Sequence, residues 1–223
     1  GKFLDNTQGR YGPDVWTDYI SEYVARKHDR PFFLYYAMAL PHNPFSPTPD
    51  SPGWADASNR FTEENRYYGD MVEYTDKILG RILAAVDAAG IDEDTLVLFY
   101  SDNGTNQKII TETQWGPNQG GKGLTIDAGV HVPFYARWTG TIKPGTVNDN
   151  LIDSTDFLPT LVHAAGRTVP PSAKLDGISF YEQLLDRGKR SSTRDYVFYH
   201  YDPRPGWDKH KFQLHLLIEI VQH

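Results

Sequence analysis

Cysteine is absent from all 223 positions. Within this chain that excludes a disulfide framework, a thiolate nucleophile and any zinc–sulfur site. Positive charge is in deficit: 22 Lys and Arg face 29 Asp and Glu, a net charge of −7. Bulk electrostatics therefore give no nucleic acid or acidic membrane surface as partner, while a local basic pocket for an anion stays compatible with the total. No apolar run approaches the roughly 20 residues that a membrane span needs, and the start lacks the basic-then-apolar pattern of a secretory signal. No internal repeat or low-complexity tract is present. Gly-x-Ser-x-Gly, His-Glu-x-x-His, Walker and Gly-x-Gly-x-x-Gly motifs are also missing, so the familiar serine-hydrolase, zinc-protease and nucleotide sites have no support.

What remains is an ordinary globular composition, with 39% hydrophobic residues, enough for one large α/β core. The run Leu96-Val97-Leu98-Phe99-Tyr100 is too short for a helix and predicts a strand buried on both faces. It stops at Ser101-Asp102-Asn103-Gly104, which places an acid and an amide at a strand's carboxyl end, where open α/β sheets put their ligands. Asp-Asn-Gly is equally good turn chemistry. Residues 32–38 form a second apolar run and predict another buried strand. It leads into Leu40-Pro41-His42-Asn43-Pro44-Phe45, a proline-dense loop with little backbone entropy to lose. A lone loop histidine is commonly a plain surface residue, but His42 shares its strand-end position with Asp102.

Helical spacing predicts a helix over 15–27 with Asp14 as its cap and His28 beside its C-terminal dipole. It predicts a longer one over 63–89, stopped by Gly90. Strand, long helix and strand then imply a right-handed parallel crossover joining 32–38 and 95–100. Residues 105–118 read as loop. Gly120-Gly121-Lys122-Gly123 follows, where glycines allow close backbone approach and one compact positive charge is presented. Further elements are a strand over 132–138, a helix over 157–165 entered through the capping acid Asp156, a short helix over 180–185, a polar hinge over 186–194 and a strand over 196–201. His131 reads as structural.

His42, the pair Asp102 and Asn103, and Lys122 make a coherent chemistry. Asp and Asn offer hard oxygens suited to Ca²⁺ or Mg²⁺. A metal, a lysine and a histidine together could hold a tetrahedral oxyanion and protonate a leaving oxygen.

The order of these motifs resembles the sulfatase family of the alkaline-phosphatase-like superfamily. The resemblance is carried by residues 31–37 with Pro41-His42-Asn43-Pro44, the long helix before Ser101-Asp102-Asn103-Gly104, and Gly120-Gly121-Lys122-Gly123 through Val132-Pro133-Phe134. Asp156-Phe157-Leu158-Pro159-Thr160-Leu161 and Leu175-Asp176-Gly177-Ile178-Ser179 continue it in the same order. It spans nearly all of residues 10–200. It implies an α/β fold with a mostly parallel or mixed central sheet flanked by helices, comprising a partial core over 1–190 and the beginning of a small C-terminal subdomain over 191–223. It implies that Asp102 and Asn103 are calcium ligands, that Lys122 contacts the sulfate and the nucleophile, and that His42 contacts the sulfate and helps protonate the leaving alcohol. The substrate class it implies is a sulfated small molecule or sulfated carbohydrate, and the location periplasmic or secreted. Asn103-Gly104-Thr105 matches a glycosylation sequon, but a glycan would block the loop.

The sequence departs from the family in four places. No Cys/Ser-x-Pro/Ala-x-Arg motif is present to yield a formylglycine nucleophile, and no upstream acidic pair completes the calcium shell. In the family these precede the region matching 32–37, so the expectation is a chain incomplete at its N-terminus and inactive alone. Asp127-Ala128-Gly129-Val130-His131 stands where the family often has an arginine. Residues 207–223 have no clear period and predict an atypical end. Two other readings stay open: a phosphatase or phosphonate hydrolase of the same superfamily, and a non-catalytic remnant that binds anions.

Overall fold

The computed structural model describes residues 7–186, 194–201 and 215–220. They fall into two compact units, residues 1–96 with 104–122, and residues 97–103 with 123–223. Among the described residues no helix is long and apolar enough to cross a membrane.

The first unit is built on two helices, α1 (Gly12–Val24) and α2 (Tyr67–Ala88). Proline in its first turn favours the start of α1, where a missing N–H costs nothing. Val15, Ile20 and Val24 are buried on one face of α1; Met71, Tyr74, Ile78 and Val86 recur at helical steps on α2. Ile78 is fully buried, a contribution of about 1.5–3 kcal/mol. Gly90, at φ +66°, supplies the left-handed residue that stops α2.

Asp14 does not cap α1. It lies in the first turn and accepts hydrogen bonds from the Tyr74 hydroxyl (2.8 Å) and from Arg81 (2.5 Å), while Arg81 also reaches Asp18 at 2.6 Å. Cross-helix pairing outcompetes capping because Tyr11, which precedes the helix, leaves Asp14 inside it. His28 behaves as the sequence implies, its Nε2–H donating to the last-turn carbonyl of Tyr23 at 2.9 Å.

The strand expected over 32–38 is not one. The segment is extended and alternates: Phe32, Leu34, Tyr36 and Met38 turn toward the two helices, whereas Phe33 and Tyr35 are 74% and 69% exposed. It enters no ladder among the described residues, so the expected parallel pairing with 95–100 is not formed there. Both faces are apolar by sequence, but only one has helices to pack against. Residues 105–118 hold more order than a loop: β2 (Ile110–Thr113) and β3 (Gly116–Gln119) form an antiparallel hairpin, closed by Gly116 at φ +107°.

In the second unit β1 (Val97–Tyr100) and β4 (Phe134–Arg137) pair antiparallel, Val97 opposite Arg137 and Tyr100 opposite Phe134. β1 is only partly buried, and Tyr100 is 37% exposed, so burial on both faces does not hold. Between them lies the short α3 (Asp127–Val130). Phe157 opens α4 (Phe157–Ala164) and gathers Tyr100, Phe134 and Phe180 around its ring at 4.3–5.6 Å. α5 (Tyr181–Leu184) follows.

Asp156 is the hub of this unit. It completes a capping box with Asp153 and accepts the amide of Ile178 at 2.7 Å. It also pairs with Arg194, Nε to Oδ2 at 3.1 Å, and its side chain is 1% exposed. Capping was legible in the sequence; the buried ion pair was not. β5 (Tyr196–Tyr201) pairs antiparallel with β6 (His215–Ile220), so part of the aperiodic end is ordered strand. Most of the hinge at 186–194, and residues 207–214 and 221–223, lie outside the described residues.

Candidate active site

His42 follows the extended 31–39 segment in the loop that the prolines stiffen. Its backbone N–H donates to Ala39 at 2.9 Å, and its Nδ1–H donates to the carbonyl of Asn43 at 2.6 Å. That bond selects the tautomer: Nε2 is left as the free ring nitrogen on an exposed side chain. Three residues on, Phe45 is buried and packs edge-on against Tyr68 of α2, centroids 5.5 Å apart. Farther along the loop, Ser51 donates to Asp70 of α2 at 2.5 Å and accepts the Thr48 amide at 2.9 Å. The loop bearing His42 is thereby pinned to one helix at two points.

Lys122 is half-buried, and its backbone is held from two sides. Its N–H donates to Thr105 at 2.9 Å, and its carbonyl accepts from the Gln107 side chain at 2.8 Å. Just before it, the Gly120 N–H donates to Ile109 at 2.9 Å. A Cβ on Gly120 would stand 2.2 Å from the carbonyl oxygen of Asn106 and 2.5 Å from that of Thr105, so only glycine admits this approach. Tyr68 closes the circuit, its hydroxyl 3.2 Å from the Thr105 hydroxyl. His42's loop and Lys122's segment thus share one anchor in the same unit.

Asp102 and Asn103 follow β1 in the other unit, in a bend where the Ser101 hydroxyl donates to the Asn103 carbonyl at 2.9 Å. Asp102 is exposed and Asn103 half-buried. Their oxygens suit a hard divalent cation, but calcium takes six to eight such ligands. Among the described residues no group of three or more His, Asp or Glu side chains stands ready for a metal. The pair fits as part of a calcium shell and not as a whole one. Thr105, which holds Lys122, is two residues along the chain from Asn103. His131 is exposed and rests on Asp127 at 3.1 Å, as a structural contact.

Two family models match this chain: Sulfatase over residues 2–167, and N-sulphoglucosamine sulphohydrolase, C-terminal, over residues 121–219. The chain belongs to the sulfatase family. The second match runs to residue 219, into the end expected to be atypical. Arylsulfatase A of Homo sapiens is 36% identical over 177 residues, covering 79% of this chain and 32% of its own length. An uncharacterized sulfatase, YdeN of Escherichia coli strain K12, is 32% identical over 200 residues, covering 86% of this chain and 35% of its own. The chain thus spans about a third of the length of these relatives.

The crystal structure of Ps i-CgsB superposes with a TM-score of 0.71 at 25% identity, covering 91% of this chain and 44% of that one. The fold is the alkaline-phosphatase-like α/β fold of sulfatases. The four candidate residues were each named from a local motif in the sequence. Thr105 and Gln107, which hold the Lys122 backbone, and Tyr68, which meets Thr105, carry no signal in the sequence for that role. Gly120 did carry a signal, a glycine directly before Gly-Lys, and the structure supplies its reason.

Proposed function

We propose that this chain supplies the anion-holding half of a sulfuric ester hydrolase whose substrate is the sulfate ester of a carbohydrate. The observation that carries the reading is the mounting of Lys122, whose backbone N–H is held by the Thr105 carbonyl at 2.9 Å, in a chain of the sulfatase family. A relative of solved structure, 25% identical with a TM-score of 0.51, was crystallised with its substrate D-glucosamine-2-N,6-O-disulfate, which favours a sugar over an aryl alcohol as leaving group.

In this reading Lys122 contributes a point charge to the sulfate oxygens. A desolvated anion gains most from a donor on a fixed mount, and the bonds to Thr105 and Gln107 fix the backbone that carries this one. His42 presents Nε2 to the ester. With Nδ1–H committed to Asn43, the imidazolium has one proton to give, and it leaves from Nε2 toward the departing sugar oxygen. Asp102 and Asn103 would hold calcium together with oxygens from elsewhere; when bound, the ion offsets negative charge on the sulfate. The nucleophile, a formylglycine in the family, would come from polypeptide outside this sequence.

The test begins with binding. Sulfate or a sulfated sugar should raise the melting temperature of the chain, because a ligand that binds only the native state stabilises it. At a hundred times Kd the gain is about 2.7 kcal/mol. Lys122→Ala should abolish the gain. Phosphate stabilising more than sulfate would turn the reading toward a phosphoester hydrolase. In the natural full-length protein, His42→Ala and Lys122→Ala should each lower sulfatase turnover by about 10²–10⁴-fold. Full activity in both variants would sink the assignment.

A further inference from the structure

A groove of about 580 Å³ runs between the first turns of α2 and strand β2, inside the first unit. That is within the roughly 300–1,000 Å³ usual for small-molecule sites. Tyr68, Val72 and Ile110 give it apolar surface, and Glu73, Lys108 and Glu112 give it charge of both signs. Val72 and Ile110 are 42% and 62% exposed, unusual for aliphatic side chains with a wall beside them. None of the ion pairs among the described residues uses Glu73, Lys108 or Glu112.

The groove and Lys122 share a wall. Residue Ile109, at the groove's base, accepts the Gly120 N–H, and β2 pairs along the strand that leads into Gly120-Gly121-Lys122. Tyr68 both lines the groove and bonds Thr105, whose carbonyl holds Lys122. A ligand group in this groove is thus next to the segment that carries the cation.

We propose that the groove is a carbohydrate subsite, receiving the sugar unit adjoining the one whose sulfate meets Lys122. This rests on the sulfated-carbohydrate reading above. A sugar ring has an apolar face for Tyr68, Val72 and Ile110 and a rim of hydroxyls that both donate and accept. Lys108 donates to that rim, and Glu73 and Glu112 accept from it. An aryl or steroid group would cover the same apolar floor while stripping water from three charged groups without replacing their hydrogen bonds.

The experiment titrates the chain by calorimetry with D-glucosamine-2-N,6-O-disulfate and with a tetrasaccharide ending in that sugar. The tetrasaccharide should bind about tenfold or more tightly than the monosaccharide. Val72→Trp, which fills the groove, and Lys108→Ala should each cut tetrasaccharide affinity about five- to twentyfold, with monosaccharide affinity within twofold of wild type. Unchanged circular dichroism and melting temperature guard against misfolding, and two unrelated substitutions make a shared folding defect easy to detect. Equal affinity for both sugars, or groove variants that bind the tetrasaccharide like wild type, would overturn the subsite. The function reading fails separately, if Lys122→Ala leaves monosaccharide binding intact or if the monosaccharide does not bind at all.

Discussion

Replacing Gly120 by alanine tests the mounting of Lys122 most directly. The added Cβ would lie 2.2 Å from the Asn106 carbonyl oxygen, 2.5 Å from that of Thr105 and 2.8 Å from the Asn106 carbonyl carbon. All three are backbone atoms, so no side chain can rotate away, and residues 105–106 must part from 120–122. The parting breaks the bonds Gly120 N–H to Ile109 and Lys122 N–H to Thr105, both 2.9 Å, and loosens that of Gln107 to the Lys122 carbonyl, 2.8 Å. At about 0.5–1.5 kcal/mol each, the three bonds sum to roughly 1.5–4.5 kcal/mol. For a chain of this size the melting midpoint should fall by roughly 3–18 °C. Gly123→Ala is the control: its φ of +83° is strained for alanine, but no atom lies within 4 Å. It should cost only about 1–2 kcal/mol of backbone strain. Differential scanning calorimetry of both variants, with and without sulfate, separates the effects. Gly120→Ala should melt below Gly123→Ala and lose the sulfate-induced rise. If Gly120→Ala melts with or above the control and keeps its sulfate response, the close approach does not hold Lys122 and the argument fails.

Three further expectations follow from other parts of the molecule. Asp156→Asn removes the charge paired with Arg194 in a site where the side chains are 1% and 12% exposed; a broken buried pair costs about 3–5 kcal/mol, and an unfolding free energy in urea lowered by under about 1 kcal/mol would refute the hub. Burial first, with the Asp14 carboxylate adding to it for Tyr11 and Tyr74, holds the phenols of Tyr11, Tyr36 and Tyr74 protonated above the usual tyrosine range. The unfolded chain therefore sheds these protons near pH 10 while the folded chain keeps them, so stability is level below pH 10 and falls above it. Titration at 295 nm should show three of the 14 tyrosines ionising late, and Tyr74→Phe should flatten the alkaline loss of stability; 14 equivalent phenols would refute the shifts. Phe33 and Tyr35 stand 74% and 69% exposed on extended backbone that enters no ladder among the described residues, an edge that invites self-association. Light scattering should show oligomers that Phe33→Lys with Tyr35→Lys disperses, and a monodisperse wild-type chain would count against this.

What the sequence disclosed, and what it withheld, divides along the range of the interactions. Helix α2 was legible because Tyr67, Met71, Tyr74 and Ile78 repeat locally, and Gly90 marks its end. Strands 32–38 and 95–100 were read as buried from apolarity alone, yet composition does not say whether a second wall exists. Phe33 faces solvent because only its neighbours Phe32 and Leu34 have a helix to meet. The hairpin β2–β3 escaped notice because Ile110-Thr111-Glu112-Thr113 is short and mostly polar, and its pairing depends on the turn at Gln114-Trp115.

The site divides the same way. His42, Asp102, Asn103 and Lys122 could be named because each sits in a local motif, a histidine between prolines, an Asp-Asn-Gly, a lysine among glycines. The residue that ties two of these motifs together has no motif of its own. Tyr68 lies 23 positions after Phe45 and 37 before Thr105, and in the helical pattern it is simply the neighbour of the buried Tyr67. Its ring needs an apolar partner and its hydroxyl needs a polar one, and only the folded chain puts Phe45 on one side and Thr105 on the other. Tyr68→Phe keeps the ring and removes the hydroxyl. It should leave the His42 loop packed while freeing Thr105, so that the sulfate response weakens with little change in stability, about 0.5–1.5 kcal/mol for one hydrogen bond. Tyr68→Ala loses both supports and should destabilise by about 3–5 kcal/mol, as for other large aromatic truncations. A Tyr68→Phe variant that keeps the full sulfate response would mean that the hydroxyl carries nothing, and that Lys122 is held by its own glycines alone.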